Sequence, residues 1–141
     1  MNKVRGAQKA QTARCSCGGL SVTVRGNPVG VNGCTCLQCQ KRSGSAFAYT
    51  AFYRDAAVVG ISGDYRVWRE MSDAGRWHDS HFCPVCGVSL FCRLEAMPAT
   101  IGVAVGCFGD PEFAPPDTFY WTSRRPHWLP LPEGIPRLDR Q

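Results

Sequence analysis

Short segments with alternating apolar and polar residues recur along the chain, and this two-residue period is typical of half-buried β-strands. The clearest case is residues 20–24, which read Leu-Ser-Val-Thr-Val and precede a turn at Asn27-Pro28. Further strands are predicted, from alternation or from aromatic and β-branched residues, over 47–53, 64–69, 77–82, 88–92 and 100–105.

Helix is predicted at one place only, a turn around residues 37–43 between a cysteine cluster and Gly44. Fifteen glycines and ten prolines are scattered along the chain, which favours short strands and turns over long helices. The sequence therefore predicts a mainly β fold of small sheets with little helix. Such sheets need long-range cross-links to be stable.

The length of 141 residues indicates one domain, which we expect to span residues 14–141 behind a flexible, polar N-terminal leader at 1–13. The leader is basic but has no apolar stretch of the kind found in secretory signals. No run of residues approaches the roughly 20 apolar positions that span a bilayer. We therefore expect a cytoplasmic protein in a reducing compartment, without a membrane partner.

Nine cysteines are the most unusual feature of the composition. Their number is odd and most of them stand in close pairs, a pattern that indicates metal binding rather than disulfides in a reducing compartment. Seven fall into three clusters: Cys15-Ser-Cys17, Cys34-Thr-Cys36-Leu-Gln-Cys39 and Cys83-Pro-Val-Cys86-Gly87.

Each cluster has a spacing that suits zinc. Residues i and i+2 of an extended segment point to the same face, so a Cys-x-Cys pair can present two thiolates to one ion. In the third cluster the proline pre-sets a turn, Gly87 tolerates a positive φ, and backbone N–H groups can face the sulfurs. Buried apolar cysteines are the alternative, which this spacing disfavours.

Seven ligands divide into four plus three. Cys15, Cys17, Cys83 and Cys86 would form a closed structural site, whereas Cys34, Cys36 and Cys39 would leave a fourth position open, as catalytic zinc requires. Other partitions, such as the first two pairs sharing one ion, remain open at this point.

Several further side chains are candidates for lesser roles. Cys92 is best interpreted as a buried strand thiol, and Cys107 between two glycines is not assigned a role. His81 is expected near a metal ligand or at the surface rather than as a ligand. Lys41 and Arg42 either bind substrate carboxylates or form a solvated basic turn.

The formal charge of +5 does not by itself indicate a nucleic-acid partner. A zinc ion with four thiolates carries −2 and one with three thiolates carries −1, so the loaded protein would stand near +2. This charge is too small to argue for a surface that follows phosphates.

Several motifs together resemble the glutathione-dependent formaldehyde-activating enzymes and their relatives, which include the centromere protein V-type domain. The matching segments are Cys15-Ser-Cys17-Gly-Gly, the run from Cys34-Thr-Cys36-Leu-Gln-Cys39 to Phe47, His81-Phe-Cys83-Pro-Val-Cys86-Gly87, and Trp121-Thr-Ser-Arg-Arg-Pro-His-Trp128. They cover residues from about 14 to 130 in the order that the family has. One departure is Thr35, where many relatives have histidine.

The resemblance implies a β-tent fold of small coiled antiparallel sheets and supports the four-plus-three division of the cysteines. It also implies two zinc ions per chain and the activity of an S-(hydroxymethyl)glutathione synthase, a carbon–sulfur lyase that joins formaldehyde to glutathione. The expected partner is a small-molecule thiol or thiol adduct. The alternative function is a non-catalytic zinc module that binds a partner, as the centromere-type relatives suggest.

Overall fold

The computed structural model describes residues 9–72 and 74–140. Eleven strands are found in this part of the chain: β1 (Ala10–Arg14), β2 (Ser21–Arg25), β3 (Gly30–Cys34), β4 (Ala48–Arg54), β5 (Val58–Ser62), β6 (Arg66–Met71), β7 (Trp77–Phe82), β8 (Ser89–Leu94), β9 (Thr100–Ala104), β10 (Thr118–Tyr120) and β11 (Arg137–Leu138). The prediction of a mainly β fold is confirmed.

The α-helix α1 spans Leu37–Ser43, as the sequence predicts. Its N-cap is Cys36, whose sulfur accepts a hydrogen bond from the backbone N–H of Cys39. It ends at Gly44, which has φ +62° and donates its N–H to the last carbonyls of the helix. Three short 3₁₀ turns lie at Asp55–Ala57, Val105–Phe108 and Thr122–Arg124.

The strands form two sheets. Strands β1, β2 and β5 make a three-stranded antiparallel sheet, and the other eight follow the order β11-β10-β3-β4-β9-β8-β7-β6. Neighbours in the larger sheet are antiparallel except that β10 runs parallel to both β3 and β11. Strand β6 therefore lies at one edge of the larger sheet.

The core forms between the two sheets. Leu20, Val22 and Val24 from the β2 region are almost fully buried. They belong to one apolar cluster with residues of the larger sheet, among them Tyr53, Leu90, Ile101 and Val103. Alternation along β2 places Val22 and Val24 on the inner face, which is why the periodicity of the sequence located this strand, whereas β4 was located by its aromatic residues.

Five strands of the described residues lie where the sequence did not predict them: β1, β3, β5 and the two short C-terminal strands β10 and β11. Strand β1 begins at Ala10, inside the range expected to be a flexible leader, and it pairs with β2 over its whole length. Strand β3 contains two glycines, and β5 is mostly exposed, so neither shows a clear apolar period. The rest of the expected leader, residues 1–8, lies outside the described residues.

Candidate metal centre

Cys15, Cys17, Cys83 and Cys86 come together in space, with their sulfur atoms within 4.8 Å of one another. The Sγ–Sγ distances from Cys17 to Cys15 and to Cys83 are both 3.6 Å. A tetrahedral zinc ion with Zn–S bonds near 2.3 Å separates its sulfurs by about 3.8 Å, whereas a disulfide requires about 2.05 Å. The spacing therefore fits a metal ion and excludes a disulfide between these atoms.

Two similar turns hold the four-cysteine site. The N–H of Gly18 donates to the carbonyl of Cys15 at 3.0 Å, and the N–H of Gly87 donates to that of Cys83 at 2.9 Å. Both glycines have a φ of +78°, which residues with a side chain seldom adopt. The predicted left-handed glycine after the Cys-Pro-Val-Cys turn is confirmed.

Backbone N–H groups in these turns point at the sulfurs. Leu20 donates to Cys15 Sγ at 3.2 Å, and Val85 donates to Cys83 Sγ at 3.4 Å. Such donors stabilise the anionic form of a thiol, which is the form that binds metal. Cys15 and Cys83 are buried whereas Cys17 and Cys86 are exposed, so the site lies at the boundary between the core and the surface.

Cys34, Cys36 and Cys39 form a second cluster, again with sulfur atoms within 4.8 Å of one another. Cys34 ends strand β3, Cys36 caps helix α1, and Cys39 lies on the first turn of that helix. Within the described residues no histidine, cysteine, aspartate or glutamate joins these three as a fourth member. The three soft sulfur donors fit zinc, and they would occupy three of its usual four coordination positions.

The three thiols of this second cluster do not ionise alike. Hydrogen bonds from Cys34 and Cys39 lower the pKa of Cys36 to about 2. The contact with Cys36 raises the pKa of Cys34 to about 11, and the contacts with Cys34 and then Cys36 raise the pKa of Cys39. Because thiolates are the form that binds metal, a divalent ion bound here would replace protons that these thiols carry.

Thr35 stands between the first two cysteines of the cluster but does not face a metal. It is fully buried, and its hydroxyl donates to the carbonyl of Trp121 at 2.6 Å. Gln40 reinforces the same connection by donating to the carbonyls of Thr35 and Arg124, both at 2.9 Å. These residues attach the C-terminal segment to the cysteine loop, so the departure at Thr35 removes no ligand.

Arg42 contacts the three-cysteine cluster directly. Its Nη2 donates to Cys39 Sγ at 3.3 Å, and its Nη1 forms an ion pair with Glu70 of strand β6. Glu70 is a residue that the sequence did not single out, because no spacing signal links positions 28 apart. Arg42 is therefore already paired, and only Lys41 of the two basic residues is left to meet a carboxylate.

A cavity of about 200 Å³ adjoins this contact, lined by Gln38, Lys41, Arg42, Trp68 and Glu70. Trp68 is 66% exposed, far more than is usual for so large an apolar side chain. Lys41 makes no ion pair within the described residues. The cavity thus combines a free cation, an amide and an aromatic ring beside the three-cysteine cluster.

The remaining candidates lie outside both clusters. Cys92 lies on β8 opposite Gly102, and burial raises the pKa of its thiol to about 11. Burial also raises the pKa of Cys107. His81 is buried on β7 with its ring stacked on Phe91 at 4.3 Å between centroids, and it joins neither group of metal-binding residues.

The sequence matches the family model of the glutathione-dependent formaldehyde-activating enzyme over residues 10–124. The chain belongs to this family. Membership supports a function in glutathione and formaldehyde chemistry, with a glutathione-related small molecule as substrate.

Among solved structures, the chain is similar to a crystal structure of a protein from Rhodobacter sphaeroides. The two are 19% identical, the match covers 74% of this chain and 91% of that one, and the TM-score is 0.55. At this identity the likeness shows the fold alone. Curated proteins give no match to the chain.

The helices in the described part of the chain are all too short or too polar to cross a membrane.

Proposed function

We propose that this protein is a zinc-dependent carbon–sulfur lyase resembling S-(hydroxymethyl)glutathione synthase, acting on a thiol–aldehyde adduct of glutathione type. The observation that carries the proposal is the unequal pair of cysteine clusters, one with four sulfurs and one with three. Four thiolates fill a tetrahedral zinc ion, whereas three leave a position for substrate.

Two zinc ions per chain are proposed, with separate roles. Cys15, Cys17, Cys83 and Cys86 would hold the structural ion, and Cys34, Cys36 and Cys39 would hold the catalytic one. When bound at the three-cysteine cluster, zinc supplies a Lewis-acidic position with an affinity for a thiolate or for the oxygen of its hydroxymethyl adduct. Three thiolates make it a weaker activator of water than three neutral imidazoles would.

The reaction forms or breaks one carbon–sulfur bond. In the forward direction the thiol sulfur attacks the carbonyl carbon of formaldehyde, the sulfur loses its proton, and the carbonyl oxygen gains one. No oxidant or reductant is needed. The protein's contribution is to hold the sulfur in its anionic form and to place it within reach of the aldehyde.

The cavity beside Arg42 provides the binding energy for the rest of the substrate. Lys41 can pair with a carboxylate of a glutathione-like thiol, Gln38 offers an amide, and Trp68 offers an apolar face. A volume of about 200 Å³ is below the range of sites that enclose a drug-sized ligand, so it suits one amino-acid-sized part of the substrate.

The compartment that we propose is the cytoplasm. All nine cysteines are free thiols, and thiolate ligands need a reducing environment to stay unoxidised.

The proposal is tested with Cys36→Ser, with Cys92→Ser as its control. Serine still caps helix α1, so the fold should persist while the open zinc is lost and turnover falls at least about 100-fold. The assay measures exchange between glutathione, formaldehyde and their adduct on zinc-loaded protein. Cys92→Ser leaves both clusters intact and should retain activity.

Measurements of zinc content, and of zinc release by added thiol or chelator, can contradict the proposal. Two zinc ions that are both inert to added thiol and to a mild chelator, together with exchange by the natural protein and by Cys36→Ser that is no faster than the uncatalysed reaction, would contradict the enzyme proposal. That result would favour the non-catalytic interaction module of the centromere protein V type.

A further inference from the structure

Arg42 joins the three-cysteine cluster to an acidic residue on a distant strand. Its Nη2 lies 3.3 Å from Cys39 Sγ, within the range for a hydrogen bond to sulfur, while its Nη1 is paired with Glu70. The side chains of Arg42 and Glu70 are only 21% and 20% exposed. The contact is therefore partly shielded from water, where electrostatic interactions are stronger than on an open surface.

The two residues come from different parts of the fold. Arg42 lies on the last turn of α1, and Glu70 lies on β6, the edge strand of the larger sheet. Opposite Glu70 on β7 is His78, whose Nδ1 is 3.9 Å from Glu70 Oε1, too far for a hydrogen bond. Arg42 is thus the group to which the Glu70 carboxylate is bound.

A zinc ion with three thiolates has a net charge of −1. A fourth ligand that binds as a thiolate would make the net charge −2. A guanidinium N–H aimed at one sulfur opposes that accumulation of charge. The Arg42–Glu70 pair is neutral as a whole, so its effect on Cys39 is that of a fixed dipole with its positive end at the sulfur. Glu70 holds the guanidinium in this orientation, and without it the long arginine side chain would lose its defined position.

We propose that Arg42 tunes the three-cysteine centre for an anionic fourth ligand, and that Glu70 is the positioning residue for Arg42. This inference rests on the proposed function for the identity of the fourth ligand, although the tuning of the metal itself does not depend on it.

The experiment compares Arg42→Met, Arg42→Lys and Glu70→Gln with the matched control Arg69→Met. Arg69 lies on the same strand β6 and forms an ion pair with Asp79, at 2.7 Å from Nε to Oδ1, away from the cluster. The control therefore removes an arginine–carboxylate ion pair of strand β6 that does not contact the cluster. Zinc affinity is measured by chelator competition for the first and the second equivalent of metal.

Arg42→Met should weaken binding of the less tightly held zinc by about 10- to 100-fold, the range found when an outer partner of a metal ligand is removed. Glu70→Gln should weaken it in the same direction but less, and Arg42→Lys should fall between Met and the natural residue. The other zinc, in the four-cysteine site, should be unaffected. Arg69→Met should bind both equivalents as the natural protein does.

Cobalt substitution supplies a spectroscopic readout that a purely structural role would not change. Loss of the N–H donor raises the energy of the Cys39 sulfur lone pair, so the sulfur-to-cobalt charge-transfer band of the second site should move to longer wavelength in Arg42→Met. The contribution of the first site is removed by subtracting the spectrum of cobalt-loaded Cys36→Ser. Unchanged affinity and an unchanged band in Arg42→Met and Glu70→Gln would overturn the inference.

Adding glutathione to the cobalt-loaded proteins separates this inference from the proposed function. If both hold, glutathione shifts the spectrum of the natural protein, and it binds Arg42→Met at least several-fold more weakly. If glutathione leaves every spectrum unchanged while the metal affinities still differ, the proposed function fails and the role of Arg42 stands.

Discussion

At the scale of single residues, the most informative position is Thr35, because its neighbours Cys34 and Cys36 both belong to the three-cysteine cluster. The buried hydroxyl of Thr35 donates a hydrogen bond to the carbonyl of Trp121. Trp121 has a positive φ of +56°, which turns the chain towards the Thr122–Arg124 segment. A polar residue between two candidate metal ligands can therefore have a purely structural role. Its hydrogen bond, not its place in the motif, shows which role it has.

Thr35→Val should lower the free energy of unfolding by about 1 kcal/mol, because it keeps the shape but removes a buried hydrogen bond to the Trp121 carbonyl, which still accepts the N–H of Arg124. The measurement is the urea unfolding midpoint of the zinc-loaded protein. Thr12→Val is a suitable control, since Thr12 bonds only to Thr23 on the small sheet and should change stability by less than about 0.5 kcal/mol. Equal effects in both variants would contradict the assignment.

His78 gives a prediction about pH. Burial, and next the nearby charge of Arg42, lower its pKa to about 4 in the folded protein, against 6.5 as the ordinary value. Between these two values the unfolded chain binds more protons than the folded one, so stability increases with pH over this window and is lost as pH falls. Above about pH 6.5 His78 has no effect.

Relative to His78→Gln, the natural protein should lose about 2 kcal/mol of stability between pH 7 and pH 5. The difference between the two proteins is the quantity to measure, by urea unfolding at each pH, because release of metal in acid affects both. Parallel stability curves for the two proteins over this interval would show that His78 ionises normally.

At the scale of secondary-structure elements, α1 is too short to be stable by its own backbone hydrogen bonds. The helix has seven residues, and its two ends are fixed by Cys36 at the N-cap and by Gly44 at the C-cap. Cys36 and Cys39 of the three-cysteine cluster belong to the helix or its cap. Metal binding and helix formation should therefore stabilise each other.

Gly44→Ala should destabilise the protein by about 1 kcal/mol, because alanine at a φ of +62° is strained. Gly60→Ala is the matched control: no atom lies within 4 Å of the added methyl group, and the φ of Gly60 is not positive. It should be neutral or slightly stabilising. Thermal unfolding of both variants decides the point, and a neutral Gly44→Ala would mean that the end of α1 is not fixed by this cap.

At the scale of the whole molecule, the four-cysteine site joins distant parts of the chain. Cys17 and Cys83 are 66 positions apart, and they connect the turn between β1 and β2 with the turn between β7 and β8, one from each sheet. A bound ion here would hold the two sheets together across the core. The three-cysteine cluster lies within one short segment and provides no such link.

Cys83→Ser should therefore unfold the protein, whereas Cys36→Ser should not. Structural zinc contributes on the order of 10 kcal/mol or more in small domains, comparable to the 5–15 kcal/mol that a whole domain has. Near-ultraviolet circular dichroism and zinc content of the purified variants are the measurements. A folded Cys83→Ser protein that keeps one zinc would show that the core alone suffices.

The sequence by itself determined the strands with a clear apolar period, the position of α1 and the three groups of closely spaced cysteines. Each of these depends on local spacing: alternation for a strand such as β2, and close pairs for the thiols. The tertiary structure alone decided which distant residues meet. The tertiary structure pairs β10 parallel to β3, brings Arg42 to Glu70 and hydrogen-bonds Thr35 to Trp121, and these contacts join positions between 28 and 86 apart. No local pattern encodes such contacts, because they depend on how the whole chain closes around its core.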